Sequence, residues 1–219
     1  MVNGAMRLNA SPLLDLVLSY APASKRPAFA ALLALDSALG QVLRTTREPM
    51  VGQMRLAWWR EALEQLDFAP APGEPVLQAL AAEALPRGVD GAQLAQLVDG
   101  WEPLLGDIDA VAIAAHADLR GAVLFKLAGA LLAASPSDPV LPAGKGWALV
   151  DLANNLSATA LSVTIRTQGI TFLRDAYSGQ WSPNARALGA LALLARAKSS
   201  GSAGIAVVLR LGWHRLTGR

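Results

Sequence analysis

The stretch that decides the fold is residues 20–66, YAPASKRPAFAALLALDSALGQVLRTTREPMVGQMRLAWWREALEQL. It predicts two helices, one over about 24–43 and one that Pro49 opens and that runs to about Leu66. A helix turns by about 100° per residue, so the face of each side chain follows from its position. Taken from Asp36, residues Phe29, Leu32, Leu39 and Leu43 fall within about 60°. A carboxylate is therefore expected at the centre of an apolar stripe. The same geometry centres Arg55 among Val51, Trp58, Trp59, Ala62 and Leu66, with Arg60, Glu61 and Glu64 on the far side.

Outward from this pair the pattern repeats. Further helices are expected at 12–19, 75–84, 91–105, 110–134, 143–167, 183–198 and 203–216, punctuated by Pro and Gly. Ser11-Pro12 suits a helix start, and Asp90 and Asp109 sit where caps are wanted. The chain has 219 residues, 43 of them Ala and 38 Leu, which favours helices over strands. The expectation is an all-α protein, a single-domain helical bundle over residues 1–219. With 53% hydrophobic and 16% charged residues, a disordered chain is excluded. The absence of Cys excludes disulfides, thiolate metal sites and Cys nucleophiles, and two His, at 116 and 214, are too few for a His-built metal site.

Two more helices place polar groups on apolar faces. Arg120 shares its face with Ile113, Leu124, Leu127 and Leu131. Asn154 shares one with Trp147, Val150, Leu161 and Ile165, and Asp151 lies beside it. Buried charges must pair or line a cleft. One reading is a structural pair of Asp36 with Arg55 or Arg120. The other is a polar cleft for an anionic ligand, in which two arginines outnumber one carboxylate. His116, near Arg120, reads as structural. Glu61, Glu64 and Asp67 read as a solvated face, and Trp58 and Trp59 as core or as the wall of an apolar channel. Gly144-Lys145-Gly146 lacks the spacing of a phosphate-binding loop.

Charge is unevenly spread. Residues 1–159 carry 11 basic and 16 acidic side chains, whereas residues 160–219 carry 8 basic and 1 acidic. The basic third suits an anionic partner, and residues 203–216 are expected to form a helix with Ile205, Val208, Leu209, Gly212 and Leu216 on one side. That helix can dock on the bundle or lie on an anionic membrane. No nucleic-acid motif accompanies the charge. No run of 18 apolar residues predicts a spanning helix, and no signal-peptide pattern opens the chain. A cytoplasmic protein is expected, with peripheral contact at the inner face of the membrane.

Residues 20–66 resemble the squalene/phytoene synthase family, most strongly at Glu48-Pro49, Gly52 and Arg55-Leu56-Ala57-Trp58-Trp59-Arg60. Arg120-Gly121 through Ala128-Gly129 and Gly146 to Leu156 (GWALVDLANNL) are similar to later family segments. The resemblance covers most of residues 12–167 and implies the isoprenoid synthase fold. It implies enzymes that join two prenyl diphosphates head to head, holding them through Mg²⁺ on two Asp-x-x-x-Asp motifs. Carboxylates at i and i+4 share a helix face and so can reach one metal cluster.

This chain departs from that pattern. No Asp or Glu has an acidic partner four residues on. In the first motif Asp36 is followed by Gly40. In the second, Asp151 and Asn154 fall on a Gln-x-x-Asn pattern, and the acidic positions fall on Ala158 and Ser162. The chain looks closer to a degenerate branch that includes a mitochondrial complex I assembly factor. The resemblance thus implies a non-catalytic prenyl-lipid-binding or assembly protein without a cofactor. The alternative is an active prenyltransferase with a remodelled diphosphate site, using Mg²⁺. The expected binding residues are Asp36, Arg55, Trp59, Arg120, Asp151 and Asn154, for a prenyl lipid or prenyl diphosphate, with a protein partner as a further expectation.

Overall fold

Proline and glycine set the helix boundaries in the computed structural model, which describes residues 12–157, 159–199 and 205–219. The helices are α1 (Pro12–Ser19), α2 (Arg26–Thr45), α3 (Pro49–Gln65), α4 (Pro75–Glu83), α5 (Gly91–Asp99), α6 (Ala110–Ala115), α7 (Val123–Leu132), α8 (Val140–Asn155), α9 (Ala160–Ala176), α10 (Arg186–Ser199) and α11 (Ile205–Thr217). The fold class is all-α, with no strand among the described residues. Asp90 caps α5 in a reciprocal box with Gln93, and Asp109 accepts from the Ala112 N–H to cap α6. The carboxylate of Asp67 reaches the Gly91 and Ala92 N–H groups, so this residue of the expected solvated face also anchors the start of α5.

Three expected helices depart from a single regular helix. The segment 91–105 ends at Asp99, and a 3₁₀ turn over Glu102–Leu105 follows. Pro103 cannot supply the N–H that a continuing helix needs. The segment 110–134 is continuous but contains a π-helical turn over His116–Ala122, where the Val123 N–H reaches back to the Asp118 carbonyl. The segment 143–167 is two helices. Thr159 and Ser162 form a capping box that starts α9, so the chain turns after Asn155. Residues 203–204 of the expected tail helix lie outside the described residues.

Helix α2 runs through the core, with Phe29, Leu32, Leu35 and Leu39 completely buried, and packs on α4, α7 and α3. It is long and apolar enough to cross a membrane by length and composition. Its apolar side chains are instead spent on neighbouring helices, around a buried Asp36. Helix α8 packs on α9, α10 and the π turn. The main core extends from Val17 to Leu211, and a smaller cluster joins Ile113, Ala117, Leu149, Leu152, Ala153 and Ile165.

Helix α3 corrects the expected face. Its buried residues are Gly52, Leu56, Trp59, Ala62 and Leu63, while Val51, Arg55 and Trp58 are exposed. The buried stripe lies about 50° round from Arg55. Gly52 explains the offset: a Cβ there would lie 2.6 Å from Leu105 Cδ2, so the glycine admits the 3₁₀ turn against α3. A count of apolar side chains gives glycine no weight and is drawn toward Val51 and Trp58.

Two glycines set the crossing of α8 with the π turn. A Cβ on Gly144 would overlap the Gly121 carbonyl, and one on Gly121 would overlap the Gly144 carbonyl. Backbone cannot give way as a flexible side chain can. Gly144→Ala is expected to cost roughly 1–3 kcal/mol or more in a denaturant titration. Gly73→Ala, where a Cβ meets nothing within 4 Å, should cost much less.

Candidate functional site

The site is built where α2, the π turn and α8 meet. Arg120 lies in the π turn and is 3% exposed; Asp36 is 6% exposed. The guanidinium grips Asp36 in a fork, with Nε 2.8 Å from Oδ1 and NH2 2.9 Å from Oδ2. Its NH1 lies 2.8 Å from Asp151 Oδ2 and 3.1 Å from His116 Nε2. The indole rings of Trp101 and Trp147 flank it, with centroids 4.0 and 4.5 Å away. Each guanidinium nitrogen therefore has a partner, and the delocalised cation also lies against two aromatic rings.

Electrostatics follow from this packing. Burial alone would lower the pKa of Arg120, and Asp36 and Asp151 more than restore it, leaving it above its ordinary value. His116 is completely buried. Its Nδ1 lies 2.6 Å from the Gly100 carbonyl and donates to it, so Nε2 is free to accept from Arg120. Burial first, and the Arg120 charge second, push its pKa down to about 3. The buried cluster thus holds two carboxylates, one guanidinium and a neutral imidazole. Arg44, exposed at the mouth of a pocket of about 200 Å³ shared with Trp101, His116, Arg120 and Asp151, only brings the balance to zero. The expected excess of arginine over carboxylate is absent.

The other expected site residues separate. Arg55 donates to the hydroxyls of Thr45 and Thr46 at the surface, away from Asp36. Trp59 is buried in the core beside the half-exposed Trp58. Asn154 is exposed and accepts from Arg166 at 2.7 Å. It does borders, with Asp151, Ser37 and Asn155, a cleft of about 690 Å³ whose apolar wall includes Leu13, Leu14, Trp147, Val150, Leu191 and Leu194. Sequence reasoning missed Trp101 and underrated His116. The i, i+4 spacing of His116 and Arg120 was a legible signal for the latter, whereas Trp101 reaches the site through a corner that no periodicity marks.

The positions that the resemblance assigns to Mg²⁺ ligands do not fit the metal. Both oxygens of Asp36 are taken by Arg120. Gly40 has no ligand atom, and a Cβ there would lie 2.9 Å from the Trp101 ring, so the indole fills the space a carboxylate would need. Residue 158 lies outside the described residues, and the Ser162 hydroxyl is bonded to Thr159 in the cap of α9. Among the described residues no group of three His, Cys, Asp or Glu could hold a metal ion.

Arg120→Met leaves Asp36 buried without a cation and is expected to cost about 3–5 kcal/mol in chemical denaturation. Arg55→Met, at the surface, should cost about 0.5 kcal/mol or less; equal losses would contradict the assignment of the pair. A second expectation concerns pH. Unfolded His116 takes a proton near pH 6.5, and the folded side chain resists it down to about 3. Stability should therefore fall as pH drops through that window, by at most about 1.4 kcal/mol per pH unit for one proton. His116→Gln should flatten the slope between pH 6.5 and 5, the portion above the carboxylate range. His214, whose pKa burial also lowers, keeps its own share.

No curated protein and no solved structure matches the chain. A family model does, over residues 11–110, a span that contains Asp36, Arg55 and Trp59 and stops short of Arg120. The helices that carry the buried carboxylate and the Arg-x-x-x-Trp segment are thus the shared part: residues 11–110 match the squalene/phytoene synthase family.

Proposed function

We propose that this protein is a non-catalytic member of its family that holds an uncharged prenyl lipid in the cleft beside Asp151. The observation that carries the reading is the closed ion pair of Asp36 with Arg120, with Trp101 over Gly40. Departure of a diphosphate requires strong neutralisation of developing negative charge. Here the buried cation of the cluster, Arg120, is already committed to two carboxylates, so the cluster offers no spare positive charge to an anionic leaving group.

The cleft supports the choice of ligand. Its volume of about 690 Å³ is within the usual range for small-molecule sites, about 300–1,000 Å³. Leu13, Leu14, Val150, Leu191 and Leu194 suit an isoprenoid chain, and Ser37, Asn154 and Asn155 supply neutral hydrogen-bonding groups for a hydroxyl or carbonyl head. Asp151, with its side chain 39% exposed, would repel a diphosphate placed beside it.

Two measurements test this together. Native mass spectrometry and organic extraction of the purified protein should yield a neutral prenyl lipid, and Ala195→Trp, at a residue of α10 that also lines the cleft, should lower its content. Incubation with farnesyl or geranylgeranyl diphosphate and Mg²⁺ should yield no head-to-head product above a boiled control. Mg²⁺-dependent product would restore the active-prenyltransferase reading. Lipid-free protein would overturn lipid binding and leave the assembly role.

A further inference from the structure

Helix α11 uses one face to dock and leaves another apolar face open. Val207, Leu211 and His214 are buried, with the His214 ring packed against Gly189 and its Nε2 2.9 Å from the Arg186 carbonyl. The helix cannot roll without exposing these groups. The face turned outward carries Ile205, Val208, Leu209, Trp213 and Leu216, which are 54–79% exposed. Gly212 completes this stripe. All of these except Trp213 are the residues that periodicity grouped together, and the structure turns them to solvent rather than to the bundle.

We propose that this face of α11 is a docking surface for an anionic lipid bilayer. Arg210 and Arg215 lie on opposite sides of the stripe, each roughly a right angle or slightly more from Leu216, and Arg219 follows its end. An apolar face bordered by arginines fits the boundary between lipid headgroups and acyl chains, and an exposed Trp suits the same layer. Charge selects the bilayer over other occupants. Beyond Asp175 the chain has six basic residues and no acidic one. A second copy would set arginine against arginine, and residues 1–11 offer one Arg and no carboxylate. Anionic headgroups supply the missing negative charge.

The test is sedimentation of the full chain with vesicles of phosphatidylcholine, alone or mixed with phosphatidylglycerol. Binding to the anionic vesicles should exceed binding to the neutral ones by about tenfold or more and should weaken with salt. Leu209→Ser/Leu216→Ser and Arg210→Glu/Arg219→Glu alter exposed side chains, so thermal melting should be unchanged while each loses about tenfold in binding. The tryptophan blue shift on binding should vanish in Trp213→Phe. Absence of binding to anionic vesicles, or equal binding by wild type and Leu209→Ser/Leu216→Ser, would overturn the proposal. A concentration-dependent dimer that Leu209→Ser/Leu216→Ser abolishes would overturn it in favour of a second copy.

Discussion

One guanidinium, that of Arg120, ties together three parts of the chain that are far apart in sequence. It bonds Asp36 on α2 and Asp151 on α8, and it reaches both from the π turn between α6 and α7. Removing such a cation from water is costly, by several kcal/mol even after the surroundings relax. The cost is offset here because every guanidinium nitrogen finds a partner and two indoles cover the faces. The pairing is therefore demanding: a shift of α2 against the π turn leaves a charge buried without its counterion. The close glycine contacts serve this geometry. Gly121 and Gly144 let α8 approach the π turn, and Gly100 lets the end of α5 approach Arg120 itself, where any Cβ would overlap the Arg120 backbone.

Arg120 itself lies in the π turn over His116–Ala122, and α7 follows with its own core face of Leu124, Leu127 and Leu131. Such turns are less favourable than α-helix and occur mainly where a site demands them. The Lys145–Asp118 ion pair at 2.5 Å then joins α8 to the outer side of this turn.

Much of this was legible. Asp36 and Arg120 stand at the centres of apolar stripes, and a charge in that position announces a buried partner. Which arginine pairs with Asp36 was not legible, because the answer depends on how far α3 is rotated. That rotation is set by Gly52 against Leu105, a contact between a residue without a side chain and a turn made by Pro103. The break after Asn155 was hidden for a related reason. Apolar periodicity runs on through Leu156 and Leu161, and the capping box of Thr159 with Ser162 outweighs it. For α11 the stripe was visible, but sequence alone could not say whether the bundle had another use for the opposite face; His214 settles it by docking against Gly189.

A cation tethered to the chain and an exchangeable one place different demands on a helical scaffold. Paired carboxylates that wait for Mg²⁺ repel one another whenever the metal is absent, and that repulsion is a standing cost to the fold. A chain with Gly40 in the first motif keeps a single carboxylate there, and Arg120 neutralises it in the same molecule at a fixed distance. Trp101 then fills the volume that a second carboxylate would need, and its ring covers the guanidinium. The two features support each other: the indole needs the empty space over Gly40, and the buried ion pair needs water kept out. An Asp at position 40 would collide with Trp101, and a smaller residue at position 101 would open the ion pair to solvent. The Asp36–Arg120 pair and the Trp101 indole therefore hold one another in place where the three helices meet.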